Sequence, residues 1–491
     1  MSDFKNQEAV DVHHDERYEK ARDDKAANSE STAHLHTNQD STWQPLQMDS
    51  PTEYKLYKAR FVGCVALCFL NAMGGMNWLW FSAIALETST AFDISVNKVN
   101  WLSDCVNLIY LPVSFLIPWA ARRIGLRKSY ILAAACLIVG SWLRYAGTSK
   151  SLPPGGAYAL LLLGQLVAGF SQPWYQVLAP AYSQAWFGLK SRTTATMIIS
   201  LSNPIGSALA QLLSSIFDTP RSSILVLGII TTVIAPCALL IQDRPPTPPT
   251  YAGSQDVPPI MVTVRSALGF PLPDEVEKAM TLRQRIDFWI LTIGFGIIVG
   301  IISAFSILIA QVYSPYGYDA NASGLVGAAL FIAGLVGAVS ISPLFDRVFT
   351  NHLAWSLRLV LPIVAGAWIG LIWAISSHGL GPSYGVLCVA GFSSFMLLPV
   401  TLELACEVTG SAETSAASLW FSANVFTVLF VLVADSLRAG PDASPPGNLR
   451  KVLIMFAIMS AVVSASMIGL EGRQSRRRLD EDRARDNRET I

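Results

Sequence analysis

The feature that most constrains this chain is a recurrence of long apolar runs between Ala59 and Leu470, each long enough to cross a bilayer as a helix. Crossing the hydrocarbon core takes about 20 helical residues. Inside hydrocarbon every backbone N–H and C=O must be satisfied within the protein, so runs of this kind are read as helices rather than open strands. They occupy 59–86, 101–120, 130–147, 158–182, 193–217 and 222–242, then 286–313, 324–345, 353–375, 384–408, 416–434 and 452–470. Composition agrees, with 52% of residues hydrophobic and 14% charged, where soluble domains carry about 25% charged residues. Mean hydropathy is +0.42. The pattern predicts an all-α membrane protein of about twelve transmembrane helices in two sets of six.

Several functions lose their supports at this level. Lys and Arg together number 35, as do Asp and Glu, so the chain has no net positive field to attract nucleic acid, and no nucleic-acid partner is expected. The seven cysteines all lie in apolar stretches without CxxC spacing, which reads as small apolar filler. The histidines are His13, His14, His34 and His36 in the polar N-terminal region, with His352 and His378 between spans. Zinc or haem ligation inside the membrane is therefore not expected. The chain contains no P-loop, no GxSxG and no HExxH, and no GxGxxG follows a strand. Neither an enzyme nor an ATPase is indicated, and no cofactor is called for.

Residues 1–58 mix acids and bases without a signal-peptide pattern and read as a disordered cytosolic tail. The proline-rich stretch 243–285 reads as a cytosolic linker between a first bundle, 59–242, and a second, 286–470. Arg122, Arg123, Arg127, Lys128, Lys190, Arg192 and Arg347 fall in loops on the linker's side, which the positive-inside rule makes cytosolic. Arg438, Arg450 and Lys451 in the last opposite loop weaken that bias. With an even number of spans both tails are cytosolic, and the arginine-rich tail 471–491, with its interleaved acids, reads as a solvated segment. A plasma or a vacuolar/lysosomal membrane fits equally, and a monomer in the bilayer is expected. The sequon Asn321–Ala322–Ser323 lies too close to a span for glycosylation to be expected.

Two six-helix sets joined by a cytosolic linker resemble the major facilitator superfamily, whose two pseudo-symmetric bundles surround a midplane site. The superfamily's Gly/Asp/Arg signature follows its second and eighth spans, where this chain reads WAARRIGLRK and SPLFDRVFT. The second copy keeps Asp346 and Arg347, whereas the first has Arg122 in place of the aspartate. Five further stretches are similar to the feline leukemia virus subgroup C receptor family, whose members carry choline, ethanolamine or other small solutes. They are NWLWFS from Asn77, VNWLSDCVNLIYLPVSFLIPWAARRIGLR from Val99, LGQLVAGFSQPWYQVLAPAYSQAWFG from Leu163, FGIIVGIISAFSILIAQ from Phe295 and LPVTLELACEVTG from Leu398. The resemblance implies a substrate contact at Trp78 and another at Gln172. The family's seventh-span tyrosine falls at Ser303 and its eleventh-span glutamine at Asn424, so half of its choline-binding set is changed here.

Chemistry points to the same places. An ammonium is held over an aromatic face by about 2 kcal/mol or more when water is excluded, a role open to Trp78 and, as nearest substitutes, Trp80 and Trp174. Tryptophans in spans more often serve packing or the interfacial belt. Gln172 and Gln176 are four residues apart on one helical face beside Pro173, and such polarity is expected to face a cavity or to bond between helices. Asn203 and Pro204 mark a bend suited to alternating access, or a static kink. Intramembrane carboxylates are costly, so Asp104 near one face and Glu403 and Glu407 near the other are expected to gate or couple. The expected function is alternating-access transport of a small choline-like, ethanolamine-like or vitamin-like solute, facilitative by preference. The alternatives are a receptor that binds without transport and a proton-coupled exporter of organic cations.

Overall fold

In a computed structural model the described residues are 55–247, 260–270, 280–347, 353–409 and 412–472. Most of the expected tails, and part of the linker, lie outside them. The described chain is helical throughout. The first half comprises α1 (Ala59–Ala83), α2 (Ala85–Phe92), α3 (Val96–Ile124), α4 (Leu126–Ala146), α5 (Pro154–Gly169), α6 (Gln172–Val177), α7 (Ala179–Trp186), α8 (Leu189–Leu213) and α9 (Pro220–Ile234). After α10 (Ile260–Leu268) the second half runs through α11 (Leu282–Ile307), α12 (Ile309–Tyr313), α13 (Ala320–Arg347), α14 (Leu353–Ala374), α15 (Gly381–Thr409), α16 (Ala412–Ser436) and α17 (Arg450–Ser466). Among the described residues twelve helical stretches are long and apolar enough to cross a membrane, six before residue 243 and six after residue 281.

Local chemistry explains where the helices start and break. Ser95 Oγ accepts from Lys98 N at 3.3 Å to open α3, and Thr281 with Gln284 forms a reciprocal capping box at α11. Pro173 and Pro180 each stand second in a new segment, so the fourth crossing, Pro154–Trp186, is built from α5, α6 and α7 in series. Between α3 and α4, Gly125 takes φ +86°, where a side chain is strained. Asp243 Oδ1 accepts there from Arg127 N at 2.8 Å. The carboxylate that Arg122 displaces from this loop is thus supplied by the residue that follows the sixth crossing.

Burial follows the bilayer rather than water. Phe61, Val65 and Phe69, spaced by four residues along α1, are half-exposed and face outward, as lipid-facing residues do. Small residues let backbones approach inside the bundle. A Cβ on Gly206 of α8 would overlap the Ala72 carbonyl of α1, and one on Gly391 of α15 would overlap the Leu330 carbonyl of α13. Below, the end of the bundle bearing residue 243 is the linker end, and the opposite end is the far end.

Candidate functional site

Between the halves lies a cavity of about 310 Å³, lined from the first half by Trp78 (α1), Asn107 (α3), Gln172 and Gln176 (α6) and Asn203 (α8). The second half contributes Val299 and Ser303 (α11) and Trp420, Ala423, Asn424 and Thr427 (α16). It adjoins a larger space of about 550 Å³ that shares Trp78, Asn203, Val299, Ser303 and Trp420 and adds Pro204, Ile298, Phe331, Ser394, Phe395 and Leu398. Five of the six residues expected to touch substrate, Trp78, Gln172, Gln176, Ser303 and Asn424, therefore meet in one place. Trp174 lies in neither lining. It is fully buried, with its ring 5.7 Å from that of Phe170, because two residues beyond Gln172 a helix has turned to another face. Trp80 is buried too, its Nε1 donating to Ser223 Oγ at 2.9 Å.

The cavity wall is polar without being charged, since neither lining contains an ionisable side chain. In the smaller cavity two polar atoms are buried without a partner, Trp78 Nε1 and Gln172 Oε1, and in the wall of the larger space so are Ser207 Oγ and Ser394 Oγ. A buried donor and a buried acceptor left unmade each cost about 1–3 kcal/mol. Asn424 Nδ2 donates to the Trp420 carbonyl at 2.7 Å, and Asn107 Nδ2 to the Ser103 carbonyl at 3.4 Å. Each amide is thereby tied to its own helix, and its oxygen is the end left for a ligand.

Trp420, which sequence reasoning missed, stands one helical turn before Asn424 on the same face of α16. That i, i+4 relation was a usable signal once Asn424 was named. Its ring meets Phe295 edge-on at 5.6 Å and 88°. Also unforeseen is the support beneath Trp78. Arg144 of α4 is fully buried and donates to Gln165 Oε1 at 2.7 Å, to Ser141 Oγ at 2.8 Å and to Asn77 Oδ1. Gln165 Nε2 in turn donates to the Asn77 carbonyl at 2.9 Å, and Ser103 Oγ to the Trp78 carbonyl at 3.2 Å. The aromatic contact is thus anchored by α3, α4 and α5 together.

At the far end the halves are joined by polar contacts. Gln311 Nε2 donates to Asn100 Oδ1 at 2.6 Å, Asn100 Nδ2 donates to Gln311 Oε1 at 3.5 Å, and Arg438 Nη2 donates to the same oxygen. Asn97 Nδ2 donates to Asp435 Oδ2 at 3.1 Å, and Asp435 lies 3.6 Å from the Arg438 guanidinium. Gln211 Nε2 bridges Ser82 Oγ at 3.0 Å and the Ser306 carbonyl at 3.1 Å.

The residues expected to gate or couple are distributed otherwise. Asp104 is fully buried two turns into α3, with Oδ1 unpartnered. Asn203 lines both cavities, and its Nδ2 donates to Asn71 O at 3.2 Å beside Pro204 inside α8. Glu403 stands on an exposed face of α15 and Glu407, one turn nearer the linker end, is buried. Asp346 and Arg347 close α13, and their side chains lie outside the described residues.

Residues 65–434 match the family model described as Major Facilitator Superfamily. The chain belongs to the Major Facilitator Superfamily. It is a transporter of that superfamily, not an enzyme. Solved structures of this major facilitator's fold include a D-xylose-proton symporter, with TM-score 0.64 and 12% identity over 84% of this chain and 99% of that one. A bacterial homolog of the human lysosomal transporter Spinster superposes with TM-score 0.59 and 13% identity, covering 85% of this chain and 98% of the other. Among curated relatives, solute carrier family 49 member A3 of Danio rerio is 28% identical over 401 residues, 81% of this chain and 82% of the relative. The choline/ethanolamine transporter FLVCR2 of Homo sapiens is 23% identical over 421 residues, 82% and 75% of the respective chains. The resemblance read from NWLWFS and the other stretches is borne out by these relatives.

Proposed function

We propose that this major facilitator carries a small amino alcohol or related organic amine by facilitative alternating access, with the linker end and both tails in the cytosol. The observation that carries the reading is the central cavity. It joins two tryptophans, one from each half, to an unpartnered buried donor and acceptor, Trp78 Nε1 and Gln172 Oε1, without any ionisable group. An ammonium is held there by aromatic faces rather than by a carboxylate, and the hydroxyl of the same molecule completes the two open hydrogen bonds. Relatives named choline/ethanolamine transporters support the class of substrate. Ser303 and Asn424 stand where that family has tyrosine and glutamine, so the site is shaped differently and its preferred amine need not be choline.

In this reading Asn203 and Pro204 supply a bend at the cavity, and Asp104 serves the far-end gate. Glu403, Glu407, Asp346 and Arg347 serve the linker-end gate. The driving force is the solute's gradient or the membrane potential. The test is uptake of labelled choline, ethanolamine and pyridoxine into sealed liposomes holding the purified protein, with Trp78→Ala and Gln172→Ala beside it. Saturable uptake lost in both variants supports the proposal. Binding without crossing makes the protein a receptor, and uptake that requires a proton gradient replaces the facilitative mode by coupling.

A further inference from the structure

The central cavity does not end at its polar lining. Its wider part shares Ile298, Val299, Ser394 and Leu398 with a narrow chamber inside the second half, between α11, α14, α15 and α17. The chamber wall is apolar except for two hydroxyls. That of Thr401 donates to the Leu397 carbonyl at 2.8 Å, whereas Ser394 Oγ, at the junction with the central cavity, is buried with no partner. The chamber in turn shares Gly294 and Val463 with a groove at the linker end lined by residues of α10, α11 and α17. The exposed Leu282, Ile286 and Trp289 line that groove together with Arg285.

A polar site, a dry chamber and an exposed groove thus follow one another along α11. We propose that the central site accepts amines bearing a single alkyl or acyl tail, the tail lying in this chamber and running toward the linker-end groove. The inference rests on the amine reading of the central cavity and goes beyond it, because a small amino alcohol has nothing to place in an apolar chamber. A molecule polar at one end and apolar at the other matches both ends of the series. Ser303 and Gly294 are nine residues apart on α11, about 14 Å of helix axis, which is the reach of a medium-length tail. Gly294 faces the seam itself. A Cβ there would meet Met467 Cε, the end of a flexible side chain, at 2.5 Å and Val463 Cγ1, on a stiff β-branched one, at 3.3 Å, so a larger residue displaces Met467 and narrows the passage.

The experiment is calorimetric titration of the purified full-length protein with tetramethylammonium and with butyl-, hexyl- and octyltrimethylammonium. In the wild type each added methylene is expected to raise affinity about fourfold until the chamber is filled. Gly294→Leu, and separately Leu361→Trp, whose site borders only the chamber, are expected to leave tetramethylammonium binding in place. Both should lower the ratio of hexyl to tetramethyl affinity by about tenfold or more. Comparing ratios between proteins cancels partitioning of the longer probes into detergent. A ratio unchanged in both folded variants overturns the tail chamber and leaves the amine site standing. Failure of the whole probe series to bind the wild type overturns the amine reading and the chamber with it.

Discussion

Replacing Gln311 with leucine should loosen the far end of the molecule by a calculable amount. Gln311 is buried and couples the halves through a reciprocal amide pair with Asn100, and its oxygen also accepts from Arg438. Leucine has nearly the same volume, so packing is little changed. The neutral amide pair is worth about 1 kcal/mol net and a charge-assisted bond about 1.5–3 kcal/mol. The Arg438 side chain is 30% exposed and regains water when released, which reduces its share to about 1 kcal/mol. The total, about 2 kcal/mol, is a factor of about thirty. Under alternating access a far-end-open population of about 1% would rise to roughly a quarter. The readout is the distance between spin labels at the exposed positions Thr90 and Asn321, one in each half at the far end, after replacement of the seven native cysteines. A second, longer distance should grow in Gln311→Leu. A distribution identical to that of the parent protein refutes the view that this contact holds the halves together.

Two further outcomes follow from the site. Arg144→Met leaves Gln165 Oε1 without its buried donor and Asn77 Oδ1 to the Ser141 hydroxyl 3.3 Å away, which should destabilise the protein by about 2 kcal/mol and weaken ligand binding through Trp78. Thermal unfolding with and without bound amine measures both, and an unchanged midpoint contradicts the support role. Trp420→Leu should lower the preference for choline over its uncharged isostere 3,3-dimethylbutanol by about fivefold to thirtyfold, with Trp420→Phe losing less. An unaltered preference means that Trp420 does not face the cation.

The twelve crossings were legible because hydrophobicity is a local property, although α11 begins at Leu282, inside the stretch 243–285 expected to be linker. About 20 apolar residues must leave water together wherever they later pack. Helix breaks were less legible, since Pro173 and Pro180 begin new segments whereas Pro204 lies inside a continuous α8. The cavity residues Trp78 and Gln172 came through motif resemblance, and Gln176 through its four-residue spacing from Gln172. The errors and omissions share one cause. Trp174 was named as an aromatic substitute for Trp78 but is turned away from the cavity, while Trp420, far from Trp78 and Gln172 in sequence, lines the cavity with those two.

What sequence alone determined, then, is which segments enter the bilayer, in what order, and which polar groups they carry in with them. Tertiary structure decided which of those groups meet. Arg144 reaches Asn77 and Gln165 only because α1, α4 and α5 pack together, and Asn100 reaches Gln311 only because the two halves close at the far end. The physical reason is that burial is fixed by each segment's own composition, whereas the rotation of a helix about its axis is fixed by its neighbours. A site assembled from α1, α3, α6, α8, α11 and α16 exists only once all six have been turned to face one another.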